Sequence, residues 1–384
     1  MKAKEITVKY QKIRAYTEEI CKPLKVEDYV PQPNENVSPP KWHLAHTTWF
    51  FEQFILGPNQ ENYTVFDADF GYLFNSYYNH FGDRLLQPNR GLMTRPSVKR
   101  VYEYRAYVNK HIEAFFKSCD DQEIYNLLEI GLNHEQQHQE LLIYDIKYIL
   151  GFQPTFPVYG NQFQTHEEKD ASWIELDEGV YEVGAKSGFC FDNEQPRHKT
   201  YCHKTAIRKQ LVTNGEFVEF IEAGGYQNHE YWLSEGWDFI KENKIEKPLY
   251  WYDKKGKWFN YTLGGLKPIA ADLPVQHVSF YEAMAFAEWK GCRLPTEFEW
   301  ELLADQFNWG QLWEWTNSAY LPYPGYKRQP GALGEYNGKF MINQNVLKGS
   351  SVATSEGHSR KTYRNFFHAK ERWIFSGFRL AKSI

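Results

Sequence analysis

Cysteine is scarce in this chain, with 5 in 384 residues, and no two of them form a CxxC pair. Scattered thiols argue against a zinc site built from cysteine and are typical of a protein that folds in a reducing compartment. The first residues contain lysines but no apolar run behind them, so they do not resemble a signal peptide. We therefore expect a cytoplasmic protein.

The sequence also lacks long apolar runs and an excess of basic residues. No segment approaches the roughly 18 consecutive apolar residues that indicate a membrane span. Lysine and arginine number 44 against 49 aspartates and glutamates, a net charge of −5, so the positive charge that neutralises nucleic-acid phosphates is missing. We predict neither membrane nor nucleic-acid partners, and we make no prediction of an oligomeric state.

Aromatic residues are abundant, with 13 Trp, 27 Tyr and 27 Phe. At about 150 residues per domain, the length favours two or three domains. Residues 1–155 have helical periodicity, residues 156–172 mix Pro, Gly and polar residues like a linker, and residues 173–384 contain short alternating segments and frequent glycine. We predict an α+β protein whose helical domain precedes a mixed domain.

Two strong helices are predicted in the first domain. One begins near Ser38, Pro39 and Pro40 and continues through KWHLAHTTWFFEQFIL. The other covers about residues 122–150 and ends at Gly151. Helices of this kind typically pack as a four-helix bundle.

These two helices carry three histidines that can share a metal ion. His134 and His138 are one helical turn apart and project from the same face. His46 lies on an apolar face of the other helix. Three neutral imidazoles suit Fe, Zn, Ni or Cu and leave coordination positions open. The alternative is that they are ordinary core or surface histidines, although a buried unpaired imidazole is costly.

The same segment, HEQQH, matches the HExxH pattern of zinc proteases, in which Glu135 would be the general base. The longer metzincin pattern fails, because Leu141 and Tyr144 stand where glycine and a third histidine are required. A protease is therefore the weaker interpretation of this motif.

Longer segments around these motifs resemble the ergothioneine-type sulfoxide synthases. In the first half these are SPPKWHLAHTTWFFE (38–52) and NHEQQHQELLIYDIKYIL (133–150). In the second half they include DNEQPRHKTY (192–201), PVQHVSFYEAMAFAEWKGCRLPTEFEWE (274–301) and TYRNFFHAKERWIFSGFRLA (362–381). The resemblance implies a DinB-like four-helix bundle followed by a C-type-lectin-like domain of the formylglycine-generating-enzyme (sulfatase-modifying-factor) type, which walls the substrate pocket.

The resemblance also implies a reaction. Members of this family hold non-haem Fe(II), here through His46, His134 and His138, and use O₂ as co-substrate. They join a thiol sulfur to C2 of a histidine-derived imidazole and oxidise the sulfur to a sulfoxide. We expect hercynine (Nα-trimethylhistidine) and cysteine as the substrates, in ergothioneine biosynthesis. A three-histidine face leaves about three positions, enough for thiolate, imidazole and O₂.

Further residue roles in the first domain follow from the resemblance. The stretch FNSYY places Tyr77 and Tyr78 as proton or hydrogen-atom donors. Gln137 is expected to hydrogen-bond the substrate imidazole, since a neutral amide orients it without adding charge. Arg84 and Arg90 are candidates for binding substrate carboxylates, which a planar guanidinium grips with two hydrogen bonds.

The C-terminal substrate loop is expected to contain Asn365, Phe366 and Phe367. Relatives that use γ-glutamylcysteine are expected to have Trp-Asp at the last two positions and arginine at the position of Glu371. The departure favours free cysteine, and the two phenylalanines can pack around a trimethylammonium group.

Other functions remain open at this stage. Plain histidine or a selenium donor can replace the expected substrates, and DinB-like bundles include metal-dependent thiol transferases. A non-catalytic binding module would tolerate loss of the histidines. Formylglycine generation is excluded, because that reaction needs a C-terminal pair of cysteines and none follows Cys292.

Overall fold

The computed structural model describes residues 3–328 and 336–384, which form two compact units. The first unit contains the residues up to Gly160 together with Thr354–His358. The second contains Asn161–Ala353 and Ser359–Ile384. The change of unit after Gly160 falls within the predicted linker, residues 156–172.

The first unit is helical, as predicted. Its helices are α1 (Ala3–Cys21), α2 (Pro40–Phe51), α3 (Gly57–Asn59), α4 (Phe70–Leu73), α5 (Val98–Phe115) and α6 (Gln122–Gly151). A π-helical segment, Glu52–Leu56, continues α2. The long helices pack as a four-helix bundle in which α2 contacts α1, α5 and α6, and α1 also contacts α6.

The sequence explains where α2 begins and where α6 begins and ends. Helix α2 starts with Pro40, whose missing N–H costs nothing in the first turn. Every residue of α2 is buried, which identifies it as the central helix of the bundle. Helix α6 starts after Asp121, whose carboxylate accepts the Glu123 N–H at 2.8 Å, and it ends at Gly151 as predicted.

A short segment from late in the chain belongs to the first unit. We call this segment, Thr354–His358, the clasp. Ser355 Oγ donates to Gln139 Oε1 at 2.5 Å, and Thr354 Oγ1 donates to Glu140 Oε1 at 2.6 Å. The clasp therefore packs along α6 through side-chain hydrogen bonds, although its partners on α6 lie more than 200 residues earlier in the sequence.

The second unit combines short helices with small sheets. Its helices are α7 (Asn214–Glu222), α8 (Ser234–Glu242), α9 (Phe280–Trp289) and α10 (Glu297–Leu303). Its strands are β1 (Trp173–Leu176), β2 (Gly179–Val183), β3 (His198–Cys202), β4 (Thr205–Arg208), β5 (Trp251–Asp253), β6 (Trp258–Thr262), β7 (Gly265–Pro268), β8 (Trp313–Ala319), β9 (Asn345–Gly349), β10 (Asn365–Phe367), β11 (Ser376–Gly377) and β12 (Ala381–Ser383).

The sheets have the orders β1-β4-β12, β10-β9-β8-β11, β2-β3 and β5-β6-β7. Pairing is antiparallel except between β11 and β8. The capping boxes predicted at Ser279 with Glu282 and at Thr296 with Glu299 are both present, and they start α9 and α10.

Several buried charges in the second unit are paired. Examples are Arg379 with Glu314, Arg364 with Glu297 and Lys348 with Glu301. The pair of Lys348 on β9 with Glu301 on α10 links a strand to a helix, and removing one partner would leave the other charge buried and unpaired. In the described part of the chain, no helix has both the length and the apolar content that a membrane crossing requires.

Candidate metal centre

Three imidazoles from α2 and α6 converge inside the first unit. Their ligand atoms, from His46, His134 and His138, lie within 4.8 Å of one another. The Nε2 atoms of His46 and His134 are 3.2 Å apart. Two nitrogens bound to one ion at about 2.1 Å stand about 3 Å apart when the angle between the bonds is near 90°. The spacing therefore fits two ligands of a single ion.

All three imidazoles are neutral at neutral pH. Burial lowers the pKa of His134 to about 3. Burial also lowers the pKa of His46 and of His138 well below the usual value, and the neighbouring imidazoles lower both further. A neutral imidazole keeps a lone pair for a metal, so the donor set fits a divalent transition metal such as Fe, Zn, Ni or Cu.

The surroundings of His46 determine which of its nitrogens faces the centre. Its Nδ1 donates to the carbonyl oxygen of Phe74 at 2.6 Å, which leaves the lone pair on Nε2, the atom nearest His134. The ring of Trp42 stacks on His46 at 4.5 Å, and Trp49 stacks on it at 5.7 Å. These indoles hold the imidazole in place and exclude water from it.

Glu135 faces a different part of the bundle from its two histidine neighbours. Its carboxylate pairs with Arg14 at 2.9 Å and Arg105 at 3.1 Å and accepts the Thr17 hydroxyl at 2.6 Å. Burial alone would raise the pKa of Glu135, but the two guanidiniums lower it to about 2. A carboxylate held this way is a poor general base, so the protease interpretation of HExxH is wrong.

A series of packed aromatic rings connects the tyrosines of the FNSYY stretch to the imidazole of His46. Tyr78 is buried, and its ring packs at 5.6 Å on Trp49, which in turn stacks on His46. The partly buried Tyr77 ring lies 4.6 Å from that of Tyr78. Asn75 fixes the turn, because its Oδ1 accepts the Tyr78 N–H at 3.1 Å and its Nδ2 donates to the Tyr78 carbonyl at 2.9 Å.

The predicted arginines differ in their surroundings. Arg90 is buried, with its guanidinium 3.4 Å above the ring of Trp42 and donating to Ser38 Oγ at 2.9 Å. Burial lowers the pKa of Arg90 to about 9, with Asp145 opposing this shift and the nearby charge of Arg84 contributing to it. Arg84 is partly exposed, as is Gln137, which directly precedes His138 on α6.

The predicted substrate loop lies on β10 of the second unit. Phe366 stacks on Tyr320, with ring centres 4.0 Å apart and planes at 11°. Phe367 meets Trp373 edge to face at 6.1 Å. Asn365 Oδ1 accepts the N–H of Phe366 at 3.0 Å. The roles of these residues toward a substrate stay predictions.

Sequence reasoning missed two residues beside the triad. His43 Nδ1 lies 2.9 Å from His138 Nδ1, and its Nε2 lies 2.8 Å from Asp145 Oδ2. The signal was present, since His43 precedes His46 by three residues and Asp145 follows His138 by seven. Helical spacing places His43 one turn from His46 and Asp145 two turns from His138, each on the same side of its own helix, but it does not reveal that His43 and Asp145 meet.

Comparison with known families agrees with this architecture. Residues 159–311 and 305–384 match the sulfatase-modifying factor enzyme 1-like domain, and the chain belongs to this family. Residues 9–142 match the DinB superfamily. The predicted α+β fold class, with a DinB-like helical region before a domain of the sulfatase-modifying type, is confirmed.

Individual relatives narrow the resemblance. The chain is 32% identical over 247 residues to hercynine oxygenase of Mycobacterium tuberculosis. The aligned region covers 50% of this chain and 56% of that protein. It is 27% identical over 234 residues to ergothioneine biosynthesis protein 1 of Schizosaccharomyces pombe, covering 51% of this chain and 28% of that protein. It is 28% identical over 195 residues to inactive C-alpha-formylglycine-generating enzyme 2 of Bos taurus, covering 47% of this chain and 61% of that protein.

The matched region thus spans about half the length of the hercynine oxygenase. The resemblance to ergothioneine-type sulfoxide synthases that the sequence motifs indicated is confirmed by these relatives.

Proposed function

We propose that this chain is an O₂-dependent enzyme of ergothioneine biosynthesis that joins the sulfur of cysteine to C2 of hercynine and oxidises it to a sulfoxide. The observation that carries the proposal is the convergence of three neutral imidazoles, with ligand atoms within 4.8 Å of one another, between α2 and α6. Similarity to a hercynine oxygenase supports the choice of imidazole substrate and of O₂.

The overall reaction balances with O₂ as the oxidant. The C2–H bond of hercynine and the S–H bond of cysteine break, a C–S bond forms, and the sulfur receives one oxygen atom. The second oxygen atom leaves as water with the two hydrogens. O₂ is thereby reduced by four electrons, two from C–S bond formation and two from sulfur oxidation.

We propose Fe(II) as the metal, held by His46, His134 and His138. When bound, Fe(II) supplies the redox chemistry that O₂ requires and favours cysteine as its thiolate. Because the three ligands are neutral, they leave the charge of the ion to be balanced by the substrates. Gathering both substrates at one site also removes much of the entropic barrier to their coupling.

Arg90 is the best-prepared group for a substrate carboxylate. Its guanidinium is held flat by Trp42 and by Ser38, and its Nε has no hydrogen-bond partner among the described residues. A buried guanidinium with an unused donor is costly, and an incoming carboxylate offsets that cost with charge-assisted hydrogen bonds. Arg84, close enough to affect the pKa of Arg90, is proposed as the second carboxylate contact.

The remaining roles concern protons and orientation. Forming water and a C–S bond requires a proton to move near the reacting atoms, and Tyr78 and Tyr77 can hold or deliver it. Gln137 is proposed to orient the hercynine imidazole by a neutral hydrogen bond, because it follows His134 by three residues and so lies on a neighbouring position of the same side of α6.

The proposed thiol is free cysteine. Phe366 and Phe367, together with Glu371, stand where a grip on a γ-glutamyl group would need Trp-Asp and an arginine. All five cysteines of the chain are free thiols, which supports a reducing, cytoplasmic location.

The test is an oxygen-electrode assay on Fe(II)-loaded protein with hercynine and cysteine, followed by mass spectrometry of the products. γ-Glutamylcysteine and histidine serve as parallel substitutes for the two substrates. The expected result is O₂ uptake with formation of hercynylcysteine sulfoxide. The same assay on a His111→Ala variant should give the same product, because this histidine lies on α5 outside the triad.

Each negative result of this assay has a distinct interpretation. If iron-loaded protein consumes no O₂ with any pair, the sulfoxide-synthase proposal is wrong. Product formation without O₂ uptake would instead identify a metal-dependent thiol transferase. Uptake only with γ-glutamylcysteine would keep the reaction class and overturn the proposed thiol.

A further inference from the structure

A hydrogen-bonded chain runs from one candidate metal ligand into the bundle. His138 Nδ1 lies 2.9 Å from His43 Nδ1, and His43 Nε2 lies 2.8 Å from Asp145 Oδ2. His43 is 2% exposed and Asp145 is 1% exposed, so water does not compete for these bonds. The same Asp145 oxygen accepts the backbone N–H of Ser38 at 2.8 Å.

The Asp145 end of this hydrogen-bonded chain determines the direction of each hydrogen bond in it. Asp145 Oδ2 acts as an acceptor, since it already receives the Ser38 N–H. His43 Nε2 therefore donates to Asp145, and the His43 tautomer that carries its hydrogen on Nε2 has its lone pair on Nδ1. That lone pair can only accept, so His138 Nδ1 must carry the hydrogen. The lone pair of His138 then lies on Nε2.

This assignment is the same one that Phe74 imposes on His46. There a backbone carbonyl accepts from Nδ1 and leaves Nε2 for the ion. At His138 a side-chain pair performs the task of the carbonyl. An outer partner of this kind fixes the ring orientation of a metal-bound histidine and makes its lone pair a stronger donor.

We propose that His43 and Asp145 are positioning residues that hold His138 as its Nδ1–H tautomer, with Nε2 directed at the metal. The proposal rests on the metal centre of the proposed function and is independent of its substrates. Neither residue touches the reacting atoms; both act through His138.

The test measures metal binding to the full chain, with Co(II) as the probe ion in the absence of O₂ chemistry. His43→Ala and Asp145→Ala are expected to weaken Co(II) binding by about 10- to 100-fold, the usual loss for an outer partner of a metal ligand. Asp145→Asn is the conservative variant. Both hydrogen bonds go to one oxygen, and an amide oxygen can accept both, so its affinity should stay within a few-fold of wild type.

A second readout separates positioning from general destabilisation. In the Co(II)-loaded protein, proton NMR reports the exchangeable ring N–H of each ligand histidine as a hyperfine-shifted signal. Wild type should have protected signals from His46 and His138, and His43→Ala should lose protection of one of them. Glu52→Gln is the matched control, because this buried carboxylate accepts from Tyr104 and Tyr63, away from the triad.

The outcomes are distinguishable from those of the functional test. If His43→Ala and Asp145→Ala bind Co(II) as wild type does and keep both N–H signals, the inference is overturned even when the enzyme turns over. If wild type binds no Co(II), the inference also fails. If the affinity and the signals change as expected while no O₂ is consumed, the inference stands and only the proposed reaction fails.

Discussion

Neighbouring buried residues of α6 differ sharply in charge. His134 and His138 face imidazoles from α2, and burial lowers the pKa of both and keeps them neutral. Glu135, one residue along, is equally buried but ionised, because Arg14 and Arg105 compensate for the lost solvent. One helix thus carries a side that can hold a metal and a side that holds the bundle together.

The contrast explains how an HExxH pattern can occur without protease chemistry. In this helix the glutamate and the histidines point in different directions, since consecutive residues are about 100° apart around the axis. The motif is therefore divided between a site and a structural ion cluster. If that division is correct, substitutions on the two sides must separate metal binding from stability.

The largest effect is expected on the histidine side. His134→Ala should lose Co(II) or Fe(II) binding by more than about 100-fold, beyond the usual loss for outer partners, because a ligand itself is removed. Removing this buried ring leaves a cavity, so the free energy of unfolding should fall by about 1–2 kcal/mol, less than on the glutamate side. His111→Ala should keep one bound ion per chain. Metal binding that survived in His134→Ala would break the assignment of that side.

The next effect is expected on the glutamate side. Glu135→Ala leaves two buried guanidiniums without their carboxylate, which should lower the free energy of unfolding by about 3–5 kcal/mol. Metal stoichiometry in the folded fraction should not change. Glu129→Ala is the control on the same helix, because its partly exposed pair with Lys9 spans 3.7 Å and is worth at most about 1 kcal/mol. Equal losses in the two variants would contradict the prediction.

A third residue of α6 sharpens the comparison through pH. Burial lowers the pKa of Lys147 to about 7, whereas an unfolded lysine has a pKa of about 10.4. Between these values the unfolded chain binds the extra proton. Stability should therefore rise with pH in this window, by at most about 1.4 kcal/mol per pH unit.

The measurement is the free energy of unfolding of wild type and Lys147→Met from pH 7 to pH 10. The stability of wild type relative to the variant should increase across this range. Lys110→Met, at an exposed position of α5, should run parallel to wild type. Parallel curves for Lys147→Met as well would mean that burial does not suppress this charge.

What the sequence predicted, and what it did not, follows the same division. The ends of α2 and α6 and the pairing of His134 with His138 depend on neighbours within one helix, so periodicity and capping residues reveal them. The contacts of Glu135 with Arg14 and Arg105 join three helices. Periodicity indicates which residues share a side of a helix, but not which helix faces that side.

The clasp is the extreme case of this difficulty, because its partners on α6 lie more than 200 residues earlier. No local pattern marks Thr354–His358 as part of a helical bundle.

A substitution in the clasp should have the smallest effect on the free energy of unfolding. It also tests whether the metal-binding side and the structural side of α6 are independent. Ser355→Ala removes one buried hydroxyl donor from Gln139, which should lower the free energy of unfolding by about 1 kcal/mol. Gln139 keeps its bonds to Ile13 and Thr17, so the helix itself should persist. Ser118→Ala, at an exposed position, is the control for urea unfolding.

Co(II) affinity decides what the result means. Gln139 directly follows His138, yet its hydrogen bonds run to α1 and the clasp, whereas the ring of His138 bonds to His43. If the two sides are independent, Ser355→Ala should bind Co(II) as tightly as wild type does. A loss of ten-fold or more would show that the clasp helps to hold the metal ligands, and the division between a binding side and a structural side would have to be abandoned.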